Sequence, residues 1–153
     1  MPRLARTIAT VGELGWSPRA PGTIGSAVGW LIGVLGLSHA GAAARLVTVI
    51  VGTVAGVIAS TRAERELNRH DPSCVIIDEV IGMAAVFALM PAVARSVWQA
   101  GIAFGLFRLF AIVKPPPLKW LSRFPAGWGI VLDDLGATAY TCLILAAVKS
   151  LSS

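Results

Sequence analysis

Apolar residues fall into five runs along the chain, separated by charged or turn-forming residues. The runs are Ile24–Leu37, Leu46–Ser60, Val80–Val93, Trp98–Val113 and Leu135–Val148. A helix that crosses a bilayer core of about 30 Å needs around 20 residues, so the first and third runs must extend into their flanking motifs in order to span. The pattern predicts an all-α fold, a polytopic bundle of four or five membrane segments.

Composition supports a membrane protein over a soluble one. Of the 153 residues, 56% are hydrophobic and 14% are charged, whereas about a quarter of the residues in a soluble domain are charged. We therefore predict a single membrane domain over residues 1–153. The net charge of +5 comes from scattered basic residues with few aromatics. It favours anionic membrane lipids or a phosphorylated substrate as partners, and we expect no nucleic acid partner. The sequence does not indicate the oligomeric state.

Glycines recur at four-residue intervals within the apolar runs. They form the sets Gly25/Gly29/Gly33, Gly52/Gly56 and Gly101/Gly105. Such small-residue seams let membrane helices approach each other closely. We interpret all three sets as packing positions.

Basic residues predict the orientation of the chain in the membrane. With five spans, residues 1–23, 61–79 and 114–134 lie on one side and carry nine basic residues, against three on the other side. The positive-inside rule makes the first side cytoplasmic. The unusual polar motifs also fall on this side: SPRAPGTIGS, HDPSCVIIDE, KPPP and GWGIVLDD. The sequence therefore predicts that distant segments converge on one cytoplasmic face.

Two acidic pairs on that face are candidate metal ligands. Asp78/Glu79 and Asp133/Asp134 each interrupt an apolar run in a chain with eight acidic residues. Like charges brought together raise each other's pKa, and a hard divalent cation relieves the repulsion. Mg²⁺ prefers oxygen ligands and is often shared between carboxylates and a substrate phosphate. Asp71 and its neighbour His70 are weaker candidates for the same site.

Cationic and backbone groups on the same face are candidates for binding a phosphate. Arg108 lies within an apolar run, where a charge is costly and usually marks function. Lys114 follows it, just before the prolines that stop the helix. In APGTIGS, a turn precedes a helix start whose free N–H groups would suit an anion, with Thr23 or Ser26 orienting the oxygens.

Structural roles compete with each of these functional ones. Asp71, Asp133, Asp134 and Thr23 could be helix N-caps, and His70 could be a capping or interfacial residue. Arg108 could extend to the interface. Asp78 or Glu79 could form a salt bridge with one of three arginines, Arg62, Arg65 or Arg69.

Four motifs together resemble the phosphatidylglycerophosphatase A family of bacteria. They are GWSPRAPGTIGS, HDPSCVIIDEVIGM, FRLFAIVKPPPL and GWGIVLDDLGA, in family order between about residue 6 and residue 148. The resemblance implies a Mg²⁺-dependent, multi-pass enzyme of the bacterial inner membrane. Such enzymes remove the terminal phosphate of phosphatidylglycerophosphate to give phosphatidylglycerol in phospholipid biosynthesis.

The resemblance also assigns residues to the site. It implies metal ligands at Asp78, Glu79, Asp133 and Asp134, with Asp78, Glu79 and Asp134 also catalytic. It implies a phosphate site formed by Pro21, Gly22, Thr23, Gly25, Ser26, Arg108 and Lys114. Pro115, directly after Lys114, also matches the family motif.

The chain departs from the family pattern at two places. Ala111 stands where the family has an aspartate, one helical turn from both Arg108 and Lys114. Such an aspartate would be a metal ligand or the base that activates water, and its loss would cost about 10²–10⁴-fold in rate. A deliberate inactivating substitution or a natural variant would each explain Ala111, and the intact motifs favour the former. Ala126-Gly127 replaces the usual Gly-Gly, which is a milder change.

Three other functions remain as alternatives. A small cation channel or transporter would use the acids as a selectivity ring, but Arg108 and Lys114 would repel cations there. A catalytically dead lipid-binding protein would account for Ala111. A lipid phosphotransferase would need a longer acidic motif, which the sequence lacks.

Overall fold

A computed structural model describes residues 2–151, and these residues form helices without a strand. The seven α-helices are α1 (Pro2–Ala9), α2 (Pro21–Leu35), α3 (Ala42–Leu67), α4 (Ile77–Leu89), α5 (Val97–Val113), α6 (Leu118–Leu121) and α7 (Gly127–Leu151). Short 3₁₀ turns at Leu14–Trp16, Leu37–His39 and Pro91–Arg95 connect them. The predicted all-α fold is confirmed.

Each predicted apolar run lies mainly on one of the helices α2, α3, α4, α5 and α7. By length and apolar composition, three segments of the described chain can cross a membrane: Pro21–His39, Ala42–Leu67 and Gly127–Leu151. Helix α5 is apolar but shorter. Helix α4 has 13 residues, about 20 Å of helix, which is less than a bilayer core of about 30 Å. The predicted number of four or five membrane segments stays a prediction.

Helix α4 is the centre of the bundle. Its apolar residues run around the whole helix, a pattern typical of a buried helix, and Met83, Val86 and Phe87 are fully buried. They share one core with Phe107 of α5 and Ala137 of α7. The short α4 is therefore surrounded by longer helices.

The glycine seam of α2 packs directly on α4, as predicted. A Cβ added at Gly29 would lie 2.4 Å from the carbonyl oxygen of Val80, and one at Gly33 would lie 2.3 Å from the ring of Phe87. Gly56 of α3 packs on Ile81 in the same way, at 2.6 Å. The packing prediction is wrong for Gly101 and Gly105, because within residues 2–151 no atom of another helix lies within 4 Å of either Cβ position.

The helix directions bring the polar motifs to one end of the bundle. Helices α2, α4 and α7 begin at this end, and α3 and α5 end there. We call it the carboxylate end, and the end formed by residues 36–41 and 90–96 the opposite end. Helix α1 joins the carboxylate end, where Ala9 packs with Ala63 and Val75. The predicted convergence of the motifs is observed, whereas the assignment of this end to the cytoplasm stays a prediction.

Candidate active site

Three carboxylates form a compact cluster between α4 and α7. Asp78 and Glu79 lie in the first turn of α4, and Asp134 lies two turns into α7. One oxygen of each lies within 4.8 Å of the other two. Each residue also has a buried oxygen without a hydrogen-bond partner: Asp78 Oδ1, Glu79 Oε2 and Asp134 Oδ2. We call these three residues the carboxylate cluster.

Close packing of α7 on α4 brings the cluster together. A Cβ added at Gly82 of α4 would lie 3.2 Å from the Cβ of Asp134. One turn further along α7, the buried Thr138 donates its hydroxyl to the carbonyl of Gly82 at 2.7 Å. The two helices are thus fixed at the position where the carboxylates face each other.

The cluster concentrates negative charge in a poorly solvated place. Asp78 and Asp134 are buried, and Glu79 is half-buried. Like charges this close repel strongly when little water screens them. The positive end of the α4 dipole offsets this repulsion only in part, by about 0.3–1 kcal/mol for a charge in the first turn. The cluster therefore needs a cation or protons to stay together.

Asp133 is separated from the cluster and pairs with Lys114. Asp133 and Asp134 project from α7 in directions about 100° apart, and of the two only Asp134 belongs to the group of oxygens within 4.8 Å of one another. The Asp133 carboxylate accepts a hydrogen bond from the Lys114 ammonium. Burial alone lowers the pKa of Lys114, but the hydrogen bond and charge of Asp133 outweigh it, so this pKa is raised. Of the four carboxylates predicted as ligands, the structure therefore groups three and holds the fourth against a lysine.

Arg108 lies beside the cluster and is held by Ser26. Its Nη1 donates to the Ser26 hydroxyl at 3.2 Å, and that hydroxyl donates to the Gly22 carbonyl at 2.9 Å. A Cβ on Gly22 would lie 2.2 Å from Glu79 Oε1 and 3.4 Å from Arg108 Nη1. The α2 motif and Arg108 therefore meet next to the carboxylates, as the sequence predicted.

The N-terminus of α2 offers fewer free N–H groups than predicted. Pro21 has no N–H, and the N–H groups of Thr23 and Ile24 donate to the carbonyl of Ala20 at 3.0 and 3.3 Å. Gly25 is occupied in packing, since its Cβ position lies 2.8 Å from the Ile76 carbonyl oxygen. The predicted cradle of free N–H groups is wrong for Thr23 and Ile24.

Ala111 lies on the inner face of α5, one turn after Arg108. It is buried and belongs to the same core as Phe107, Leu118 and Ala137. Ala137 is one turn beyond Asp134 on α7. Position 111 therefore faces the interior of the bundle close to the level of the cluster.

The two weaker candidates lie outside the cluster. The His70 imidazole Nδ1 lies 2.7 Å from Glu64 Oε1, and the side chain is 63% exposed. The Asp71 N–H donates to the same Glu64 oxygen at 2.9 Å. Asp71 is exposed and does not belong to the carboxylate cluster. Over residues 2–151, no salt bridge joins Asp78 or Glu79 to an arginine.

Three residues that position the site were not predicted from the sequence. Thr138 is one, and its spacing of four from Asp134 was the available signal, because it puts both on one helix face. Tyr140 is another, and its hydroxyl donates to the Pro116 carbonyl at 2.8 Å, holding the loop that carries Lys114. Ala126 is the third: it begins the turn into α7 with a left-handed φ of 56°.

Comparison with known proteins identifies the family. The model of the phosphatidylglycerophosphatase A family matches residues 7–149. Phosphatidylglycerophosphatase A of Haemophilus influenzae is 32% identical over 132 residues, 85% of this chain and 79% of that protein. The protein of the same name from Escherichia coli K12 is 31% identical over 136 residues, 86% of this chain and 75% of the other.

A relative with a different name is equally similar. A putative phosphatidylinositol-3-phosphatase of Bacteroides thetaiotaomicron is 33% identical over 139 residues, 88% of this chain and 87% of that protein. No solved structure matches the chain. The family match covers nearly the whole sequence and includes every motif of the site, so the chain belongs to the phosphatidylglycerophosphatase A family.

Proposed function

We propose that this protein removes the terminal phosphate of phosphatidylglycerophosphate, giving phosphatidylglycerol, and that it requires Mg²⁺. The observation that carries the proposal is the carboxylate cluster, in which the buried Asp78 and Asp134 and the half-buried Glu79 have oxygens within 4.8 Å of one another. Membership of the family and the names of two relatives supply the substrate. We further propose that the protein lies in a bacterial inner membrane with the cluster towards the cytoplasm, following the excess of basic residues at that end.

The carboxylate cluster has the chemistry of a Mg²⁺ site. Its donors are carboxylate oxygens, which Mg²⁺ prefers. The unpartnered buried oxygens of Asp78, Glu79 and Asp134 would otherwise be costly, since a buried acceptor without a partner loses about 1–3 kcal/mol. These three residues would hold the ion. When bound, Mg²⁺ stabilises negative charge on phosphoryl oxygens and activates water for attack.

Arg108 would bind the terminal phosphate beside the cluster. Its hydrogen bond to the buried Ser26 fixes one end of the guanidinium, and the remaining donors can hydrogen-bond phosphate oxygens with a planar fork. Gly22 permits this approach, because any larger residue would press on Glu79 and Arg108. We therefore assign Ser26 and Gly22 to positioning, and phosphate binding to Arg108.

Lys114 and Asp133 would act as a pair that shapes the site. The ammonium is bonded to Asp133, so it contributes less to phosphate binding than an unpaired lysine. Its charge still offsets that of the acidic groups around it. Together with Arg108 it makes the site unsuited to passing cations, which argues against a channel.

The position of the site fits a lipid substrate. Asp78 and Glu79 lie at the start of α4 and Asp134 two turns into α7, so the cluster is recessed from the end of the bundle. A phosphorylated head group at the membrane interface would reach it while the acyl chains stay in the bilayer. The buried surroundings would exclude bulk water and strengthen the charge interactions within the site.

Phosphate release from phosphatidylglycerophosphate in detergent tests the proposal, with Mg²⁺ or EDTA present. The Ala111→Asp variant should be faster than the parent chain by about 10²–10⁴-fold, because it restores the carboxylate expected at that position. EDTA should abolish the activity of both. Phosphatidylinositol 3-phosphate is the comparison substrate, since one relative carries that name, and we expect it to be hydrolysed more slowly.

Two results would contradict the proposal. If both proteins are folded and release no phosphate, a lipid-binding protein without catalysis becomes the better account. If Ala111→Asp releases phosphate faster from phosphatidylinositol 3-phosphate, the reaction class stands and the proposed substrate is wrong.

A further inference from the structure

The opposite end of the bundle contains a basic cavity. It has a volume of about 240 Å³ and is lined by Ser38, His39, Arg45, Pro91, Ala94 and Arg95. Arg45 lies in the first turn of α3, and Arg95 ends the 3₁₀ turn before α5. Two arginines from separate elements therefore face one small space.

Among residues 2–151, these arginines have no acidic partner. In the described part of the chain, the two ion pairs involve Glu64 and Asp133, both at the carboxylate end. None of the eight acidic side chains lies in residues 36–45 or 90–99, which include the opposite end and the first turns of α3 and α5. The structure also records no hydrogen bond from either guanidinium within residues 2–151. Two like charges without a counter-ion repel each other, so the cavity is suited to an anion.

An apolar groove adjoins the cavity at Pro91. Pro91 lines both spaces. The volume of the groove is about 570 Å³, which is within the range of about 300–1,000 Å³ typical of ligand pockets. Helices α5 and α7 form its walls, through side chains such as Ile102, Leu106 and Leu145. Ile102 is 56% exposed, so the groove opens sideways towards the surroundings of the bundle.

We propose that the cavity and groove together bind an anionic glycerophospholipid, in the membrane leaflet opposite the carboxylate cluster. Its phosphate lies between Arg45 and Arg95, and one acyl chain lies in the groove. Arginine suits this task because its planar fork makes charge-assisted hydrogen bonds to phosphate oxygens. The groove favours a lipid over free phosphate, since only a lipid fills both spaces. This site is separate from catalysis and does not rest on the proposed activity.

Native mass spectrometry of the detergent-solubilised protein tests the proposal, with phosphatidylglycerol or phosphatidylcholine titrated in. We expect the anionic lipid to bind more tightly to the parent chain. The double variant Arg45→Gln/Arg95→Gln should lose at least about tenfold in that affinity, because two charge-assisted contacts are removed. The control Arg65→Gln/Arg123→Gln removes two exposed arginines at the carboxylate end and should keep the affinity.

A second pair of variants tests the groove without changing charge. Ile102→Trp fills the groove and should weaken binding severalfold. Ile50→Trp changes an exposed position of α3 outside the groove and should leave binding unchanged. Thermal unfolding of every variant shows that it is folded.

Three results would overturn the proposal. One is unchanged lipid affinity in folded Arg45→Gln/Arg95→Gln. Another is an equal loss in the Arg65→Gln/Arg123→Gln control, which would mean general charge attraction. The third is full displacement of the lipid by equimolar inorganic phosphate, which would mean a site for a free anion.

Discussion

Replacing Gly29 by alanine should destabilise the protein, because this glycine lets α2 touch α4. The added Cβ would lie 2.4 Å from the Val80 carbonyl oxygen and 3.0 Å from the Met83 Cβ. The first neighbour is a backbone carbonyl in the first turn of the buried helix α4, and it cannot rotate away as a side chain could. An ordinary contact needs roughly 3.5 Å, so the two helices must separate locally by about 1 Å.

The magnitude follows from two opposing effects. Inserting a methyl group into a tight core costs about 1–3 kcal/mol, and a gap of about 1 Å forfeits up to half of the dispersion energy of the contacts it opens. Alanine gains at most about 1 kcal/mol over glycine as a helix former. We expect a net loss of roughly 1–2 kcal/mol in the free energy of unfolding, measured by thermal unfolding in detergent.

Gly105→Ala is the matched control. The same chemical change is made in α5, where no heavy atom lies within 4 Å of the added Cβ. Only the helix-forming preference then acts, so stability should rise by up to about 1 kcal/mol. The reasoning is refuted if Gly29→Ala is as stable as Gly105→Ala, because close packing of α2 on α4 would then not limit this position.

Three further substitutions have expected outcomes. Ala126→Gly should raise the stability measured by thermal unfolding by about 1 kcal/mol, because Ala126 has a left-handed φ of 56° that costs a non-glycine residue about 1–2 kcal/mol. No gain in stability would contradict the inference that the backbone is strained at Ala126. Gly22→Ala, made in the Ala111→Asp variant, should reduce the rate of phosphate release about 100-fold at nearly unchanged stability. The added Cβ would lie 2.2 Å from Glu79 Oε1 and would displace this flexible but functional carboxylate. Unchanged kinetics would contradict the role of Glu79. Lys114→Met should destabilise the folded protein by roughly 1–3 kcal/mol, less than the loss of a fully buried pair, because the lysine side chain is 30% exposed. Adding Asp133→Asn should restore most of this loss, because no unpaired carboxylate is then left behind. A double variant no more stable than Lys114→Met would contradict the pairing.

Much of the fold could be predicted because the apolar runs are long and the motifs are polar. The runs predicted the helices α2, α3, α4, α5 and α7, and the alternation of five spans predicted that the motifs share one end. The four-residue spacing of glycines correctly predicted the seam of α2. Gly101 and Gly105 have a similar spacing but no neighbour, since a small-residue pattern does not say whether another helix lies opposite it.

The details of the site depend on directions that the sequence does not contain. The sequence predicted a group of four carboxylates, but Asp134 alone of its pair joins Asp78 and Glu79, with oxygens within 4.8 Å of one another. Both side chains of this pair are buried; which of them faces the cluster depends on how α7 is rotated, and Thr138 helps to fix that rotation. The capping of α2 by the Ala20 carbonyl likewise depends on a left-handed turn at Ala20, with φ 46°.

Thermal unfolding with Mg²⁺ or EDTA tests most directly whether the carboxylate cluster holds a metal ion, and it works even if the parent chain is inactive. A ligand that binds only the folded protein stabilises it by about 2.7 kcal/mol at 100 times its dissociation constant. We predict a higher unfolding temperature for the parent chain in millimolar Mg²⁺ than in EDTA. For Asp134→Asn we predict a higher temperature than the parent in EDTA, since one like charge is gone, and little further gain from Mg²⁺. Equal unfolding temperatures of the parent chain in Mg²⁺ and EDTA would contradict the account.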